Sequence, residues 1–330
     1  MKKIVILHSA ISPDAAEDEL DCLQQAEAIA GALRKLNYEP ILLPFELNLN
    51  NTITMLQSLK PQAVFNIVET LDSKGSLIHF APALLDMLQI LYTGCGTQAM
   101  FQTSNKPLAK KIMRNADVST PDWLDQEGHG ATTDTADLYL IKSSWEHASI
   151  GLDEDSFVNY TNNANLLKEM SHRKEILGGS CYAEAYIDGR EFNVALLSGK
   201  TGVEVLPIAE MLFRDYAPDK PKIVDYKAKW VADSFEYNNT IRNFDFPEKD
   251  ANLISFLREI SLHCWNIFSL RGYARVDFRV DVNGKPWVLE VNTNPCLSPD
   301  AGFAAALQQA KIKYHDAIGL IIDNALKSRV

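Results

Sequence analysis

Apolar and polar positions change period several times along the first hundred residues. Residues 3–8 form a short, almost continuous apolar run, the pattern of a strand buried on both faces. Leu20, Leu23, Ala26, Ala30 and Leu33 then recur at helical spacing. Residues 40–45 and 63–68 read as second and third strands, 76–88 as another helix, and Ile90-Leu91-Tyr92 as a fourth strand closed by Thr93-Gly94. Strands alternating with helices predict a parallel sheet covered on both faces.

That alternation makes residues 1–97 a Rossmann-like α/β unit, although no GxGxxG follows its first strand. A helix is predicted over 104–115, with Leu108 and Ile112 one turn apart, and the polar stretch 126–134 reads as a linker or exposed loop. Hairpin signals dominate afterwards. Asp188-Gly189 separates 182–187 from 191–197, and Asn283-Gly284 separates 274–282 from 285–292. The chain therefore reads as α/β followed by α+β, in three parts: 1–97, 98–187 and 188–330.

A two-residue turn at Asn283-Gly284 fixes a register. It places Val276, Phe278 and Val280 against Val291, Leu289 and Trp287 on an apolar face, and Arg275 and Asp277 against Asn292 and Glu290 on the other. Asp277 then faces Glu290 with Cβ atoms about 4.5–5.5 Å apart, a repulsive pair that needs a compensating cation. Two carboxylates and the Asn292 amide are hard oxygen donors suited to Mg²⁺. Neutralisation by Arg275 or Arg279, or a shared proton, serves the same electrostatic need.

Three lysines fall where an anion would help. Lys106 lies in the first turn of a helix, where a cation opposes the macrodipole unless an anionic ligand is present. Lys142 ends a strand ahead of the polar segment 143–151, and Lys229 lies in a polar stretch that reads equally well as a mobile loop. A hairpin at Asp188-Gly189 puts Glu184, Tyr186, Glu191 and Asn193 on one face, able to hydrogen-bond a base and ribose or simply to meet solvent.

Composition narrows the field. With 46% hydrophobic and 23% charged residues the chain is globular, and at 330 residues it is long enough for two or three domains. Lys+Arg 32 against Asp+Glu 43 gives a net charge of −11, which disfavours nucleic acid and anionic lipid as partners. No run approaches the ~18 apolar residues of a membrane span, so a soluble, cytoplasmic protein is expected. The five cysteines form no CxxC and the seven histidines no HExxH, which argues against a zinc site or disulfide framework. No serine or cysteine triad signature appears.

Arg275-Val276-Asp277-Phe278 with Leu289-Glu290-Val291-Asn292-Thr293-Asn294-Pro295, preceded in order by Lys106, Lys142, Glu184, Glu191 and Lys229, resembles the ATP-grasp superfamily, most closely the D-alanine–D-alanine ligases. The resemblance runs over nearly the whole chain and implies an ATP-grasp fold, two α+β subdomains clamping ATP after the Rossmann-like unit. By that resemblance Lys106 and Lys142 hold the nucleotide phosphates and Lys229 the γ-phosphate. Glu184 and the backbone of Ala185 and Ile187 meet adenine, and Glu191 meets the ribose. Asp277, Glu290 and Asn292 hold two Mg²⁺ ions (or Mn²⁺), Arg275 stabilises an oxyanion, and Ser149, which matches the family's phosphate loop, counts with Arg275 and Lys229 among the catalytic residues.

The implied reaction is ATP-dependent coupling of a small-molecule carboxylate to an amine through an acyl phosphate, by a protein whose assembly could be a homodimer. Within that resemblance the amino-acid side departs from the ligases. Ala148 and Trp230 replace a serine and a tyrosine, Ala301-Gly302 replaces a Ser-Leu pair, and Asp18 is the best counterpart of the ammonium-holding glutamate. Substrates are expected to be amino acids or a small peptide-like acid. Genuine D-alanyl-D-alanine synthesis, a member that stops at the acyl phosphate, and an ATP-binding protein without turnover are the alternatives.

Overall fold

The computed structural model describes residues 1–11, 17–131, 136–146, 149–218 and 220–327. The first apolar run becomes β1 (Lys2–Ser9), followed by α1 (Glu17–Lys35), β2 (Tyr38–Phe45), α2 (Leu49–Leu59), β3 (Ala63–Ile67) and α3 (Phe80–Met87). The strands form a parallel sheet ordered β2-β1-β3. Its two faces explain the unbroken apolar run: Ile4 and Ile6 pack with Ala26, Ile29, Ala30 and Leu33 of α1, while Val5 and Leu7 pack with Leu56 of α2 and Leu84 and Leu85 of α3.

Three expectations change here. Leu20 and Leu23 are exposed, so the buried stripe of α1 runs through Cys22, Ala26, Ile29 and Leu33 instead. Residues 90–92 make only a single parallel bridge, Val64 to Tyr92, in place of a fourth strand. The predicted helix 76–88 is a 3₁₀ turn, Gly75–Leu77, followed by α3.

Next come α4 (Thr97–Ser104) and α5 (Lys106–Asn115), two helices where one was predicted from Ser104. Asn105 is the cap that divides them, its side chain accepting the Leu108 N–H at 3.0 Å, with Pro107 in the first turn.

An antiparallel sheet follows, made of β4 (Trp123–Asp125), β5 (Gly130–Ala131), β6 (Leu138–Ser143), β7 (Phe157–Asn159) and β8 (Cys181–Ala185), in the order β5-β4-β8-β6-β7, with α6 (Asn163–Arg173) against it. The stretch expected as a linker thus begins with the β4–β5 turn; residues 132–135 lie outside the described residues.

The third sheet contains β9 (Gly189–Ser198), β10 (Val203–Val205), β11 (Ala209–Phe213), then α7 (Tyr226–Trp230), α8 (Phe235–Asn239), β12 (Thr240–Asn243), α9 (Ala251–Ile267), β13 (Tyr273–Asp281) and β14 (Pro286–Asn292). Its strand order is β12-β11-β9-β13-β14, and β10 pairs with β9. Phe192 and Val194 of β9 and Val276, Phe278 and Val280 of β13 point into a core shared with α4, α5 and α9, so the alternate residues face the other way. Finally α10 (Gly302–Gln309) and α11 (Tyr314–Lys327) return to the first sheet, where Phe303, Leu307, Ile318 and Ile322 join the α1 core.

Both hairpins need correction. β8 and β9 do not pair: β8 lies between β4 and β6, β9 between β11 and β13, and residues 186–188 cross from one sheet to the other. Gly189 serves that crossing, not a hairpin turn. At φ +141° it lies so close to β13 that a Cβ would stand 2.0 Å from the Val280 carbonyl oxygen.

At the second hairpin the loop has three residues, Val282-Asn283-Gly284, closed by the Asp281 N–H donating to the Lys285 carbonyl at 3.0 Å, with Gly284 at φ +81°. Phe278 therefore faces Val288, Arg279 faces Trp287 and Val280 faces Pro286. A bulge between Asp277 and Phe278 then restores the predicted pairs Asp277–Glu290, Val276–Val291 and Arg275–Asn292. Leu289 is left over at the bulge and opens onto the cavity described next. Among the described residues no helix is long and apolar enough to cross a membrane.

Candidate active site

A cavity of about 570 Å³ lies between the second and third sheets, and its lining reaches α1 and α10. Every site residue named from sequence lines it except Asp18, whose side chain lies outside the described residues, and Ala148, which lies outside them altogether. Asp21, one turn further along α1, does line it, as do Glu69, Tyr182, Arg242, Arg279, Leu289 and Cys296.

Glu184 on β8 is almost fully buried and ion-paired twice. Lys110 approaches one carboxylate oxygen at 2.5 Å, Lys142 from the neighbouring β6 pairs with the other, and the Tyr182 hydroxyl donates at 3.2 Å. Burial alone would raise this carboxyl, but the two ammonium groups override it and bring it down to about 2. Lys110, fully buried behind it, also donates to Thr120 Oγ1 at 2.8 Å, and burial lowers its proton affinity against the pull of Glu184. Spacing could have found Lys110, which sits one turn beyond Lys106 on α5.

Lys106 sits at the first position of α5 and donates from Nζ to the Glu146 carbonyl at 2.6 Å. Burial lowers its proton affinity, opposed by the Glu290 and Glu146 charges. The Glu146 carboxylate in turn accepts the Gly75 N–H with both oxygens at 3.1 Å, tying the loop after β6 to the first unit. Ser149, at φ +61°, donates to the Val224 carbonyl at 2.9 Å. That bond seats the loop against the chain entering α7. Asp225 caps α7 by accepting the Ala228 N–H, and the helix presents Lys229 and Trp230 to the cavity. Lys229 is held below its ordinary proton affinity by burial and by the nearby Arg275 charge.

On the third sheet the polar face is continuous. Glu191 is buried beside Arg279, which donates to its Oε2 at 3.2 Å and to the carbonyls of Ile187 and Lys222 at 2.9 and 2.7 Å. Burial raises the Glu191 carboxyl and Arg279 opposes the rise. Arg279 thus fastens the crossover 186–188 to β13. Ala185 gives its N–H to the Asp122 carbonyl, so this group and the Ile187 carbonyl are engaged within the protein.

Arg275 forks onto Asp277 with two bonds of 2.7 Å and lies 3.7 Å from Glu290, while Asn193 donates to Asp277 at 2.9 Å. Arg275 is therefore the cation that compensates the facing carboxylates in this structure. Burial pushes the Asp277 carboxyl up and Arg275 pulls against it. Asn292 Oδ1 accepts the Asn294 N–H at 2.9 Å. Two carboxylates and an amide oxygen on paired strands are a hard-oxygen set that fits Mg²⁺ completed by phosphate and water. Beyond Arg275, Asp21 accepts from Ser298 Oγ at 2.9 Å and Cys296 Sγ at 3.0 Å, and Ala301-Gly302 open α10.

Residues 133–323 match the family model described as the D-ala D-ala ligase C-terminus. The chain belongs to the D-alanine–D-alanine ligase family. Among its relatives, a D-alanine–D-alanine ligase of Aquifex aeolicus is 29% identical over 91% of this chain and 94% of that protein. The uncharacterized protein y4sG of Sinorhizobium fredii is 30% identical over 91% and 87%. The solved structure of a D-alanine–D-alanine ligase from Bacillus anthracis complexed with ATP superposes with a TM-score of 0.73 at 20% identity, covering 100% of this chain and 99% of that one.

The ATP-grasp fold expected from the resemblance is thus the fold observed, and this member of the ligase family is an ATP-dependent, ADP-forming ligase acting on small molecules. ATP and a divalent metal belong to the chemistry of that family.

Proposed function

We propose that this protein activates the carboxylate of an amino acid or small peptide-like acid with ATP and couples it to the amine of a second substrate. The observation that carries this reading is the single cavity in which Lys106, Lys142 and Lys229, the carboxylates Glu184 and Glu191, and the Arg275–Asp277–Glu290–Asn292 set converge.

In this reading Lys106 and Lys142 receive the inner phosphates and Lys229 the terminal one; Lys106 and Lys229 gain an anionic partner for a buried ammonium, and Lys142 exchanges Glu184 for phosphate. Glu184 and Glu191 address the base and ribose, and Leu289 supplies apolar surface to the base from the third sheet. Asp277, Glu290 and Asn292 hold the divalent ions, two Mg²⁺ in the proposed arrangement, which would neutralise phosphate charge during transfer. The acid's carboxylate oxygen attacks the γ-phosphoryl group and ADP leaves. The amine then attacks the acyl carbon, the C–O bond to phosphate breaks, and the amine's proton leaves with phosphate or solvent. Arg275 faces the oxygen that carries charge in that second step, and Ser149 holds the loop after β6 against the chain entering α7.

ADP release in a pairwise screen of D- and L-amino acids and hydroxy acids tests the proposal. Release that needs both an acid and an amine, with an amide product, is the expected result. ATP binding without turnover for any pair would overturn it. D-alanine as sole substrate tests D-alanyl-D-alanine synthesis, against which Trp230, Ala301 and Gly302 speak.

A further inference from the structure

β14, which carries Glu290 and Asn292, ends the third sheet: β13 pairs with one side of it and, among the described residues, no strand with the other. On that side Val288 is taken up by the segment between α5 and β4. Its N–H donates to the Ser119 carbonyl at 2.8 Å, and its carbonyl accepts the Thr120 hydroxyl at 2.8 Å. Pro121 favours an extended Thr120 beside the strand, and Arg114 of α5 donates to the Thr120 carbonyl at 3.1 Å.

Thr120 is 1% exposed, and its hydroxyl is engaged in both directions. It accepts from Lys110 Nζ at 2.8 Å while it donates to Val288, and the same ammonium is paired with Glu184. Glu184, Lys110, Thr120 and Val288 therefore form one buried file of polar groups from β8 to the strand of Glu290. An ammonium that donates into a hydroxyl polarises it and strengthens the bond given onward. That bond falls at a sensitive point. Directly after Val288 comes Leu289, left over at the bulge, and then Glu290, opposite Asp277. A bulge bends its strand and re-aims the side chains beside it, so the point at which β14 is pinned sets where the Glu290 carboxylate arrives.

We propose that Thr120 is a positioning residue for the divalent-metal site: its hydroxyl, held by Lys110, pins the Val288 carbonyl and so sets the reach of Glu290 toward the ion. Thr120 does not line the cavity and acts through β14. Threonine suits this place because its β-branch restricts χ1 and presets the hydroxyl. Serine keeps the hydroxyl, and valine keeps only the shape. The assignment rests on the reading above for the placing of Mg²⁺ at Asp277, Glu290 and Asn292.

Calorimetry of AMP-PNP binding, with excess Mg²⁺ and with EDTA, tests this without turnover. Thr120→Val is expected to weaken binding in Mg²⁺ by about three- to tenfold, the scale of one hydrogen bond, and to leave the value in EDTA unchanged, since Lys110 stays on Glu184. Thr120→Ser should restore most of the loss. In a Glu290→Gln background Thr120→Val should add nothing, because its effect passes through that carboxylate. If Thr120→Val fails to fold, Thr120→Cys, whose thiol is a weak donor, carries the same prediction. No loss in Mg²⁺, an equal loss in Mg²⁺ and EDTA, or a loss undiminished beside Glu290→Gln overturns the assignment alone. A wild type that binds AMP-PNP equally with Mg²⁺ and with EDTA overturns the metal placement in the ligase reading, and the assignment with it.

Discussion

Lys110 decides more at the site than its distance from the cavity suggests. In this structure Lys142 is paired with Glu184, so a nucleotide that recruits Lys142 takes a counter-ion away from a buried carboxylate. Lys110 remains on the other oxygen and keeps that carboxylate charged. Lys110→Met is expected to raise KM for ATP more than it lowers kcat, and to cost about 3 kcal/mol in urea unfolding, in line with breaking a buried pair. The carboxylates of the hairpin act differently. Asp277→Asn and Glu290→Gln should each lower Mg²⁺-dependent turnover by about 10²-fold or more with little change in circular dichroism. Wild-type activity in both would contradict their assignment. At this scale the sequence was informative where a residue type is costly without a purpose, as with the facing pair Asp277 and Glu290. Lys110 was legible only through its spacing one turn beyond Lys106, and Asp21 not at all, because its role comes from which face of α1 is turned inward.

Among the elements, the instructive cases are the two glycine turns. Alternating polarity around Asp188-Gly189 is the same for a hairpin and for two successive strands in different sheets, so local pattern could not separate them. Long-range pairing of β9 with β13 decided the outcome. Even so, Glu184 and Glu191 reached one cavity, because both strands turn a polar face toward the gap. At the other turn, a longer loop and a bulge cancel, so the pairing of Asp277 with Glu290 was legible although Leu289 and Trp287 were misplaced. Gly189→Ala should be destabilising by more than about 1 kcal/mol, since its Cβ would collide with the Val280 carbonyl. Gly284→Ala, whose Cβ meets nothing within 4 Å, isolates the cost of a positive φ alone. Equal melting temperatures for the two variants would refute the steric account.

For the molecule as a whole, the parallel sheet of the first unit and the antiparallel character of the rest were readable from period alone. The return of α10 and α11 onto that first sheet was not, because an amphipathic helix does not say which core it joins. Protonation links the site to overall stability. Glu184 titrates near 2 in the folded chain against an ordinary 4.5. Between those values the unfolded chain binds more protons, so the stability this group contributes is complete above 4.5 and is lost as pH falls toward 2. Urea midpoints between pH 5 and pH 3 should fall, and Glu184→Gln should flatten that acid limb while lowering stability at pH 7. An equally steep limb in the variant would assign the effect to other carboxylates.

Arg279 ties the short span at 186–188 to the strand that carries Arg275 and Asp277. Two slabs joined by three residues and this guanidinium on one side, and by the Ser149 contact to Val224 on another, behave as a hinged pair of jaws in which Arg279 pins the hinge. Cutting the pin, as in Arg279→Met, lets the jaws gape, and a fluorophore pair placed on β7 and β12 would report the wider angle before any change in chemistry is measured.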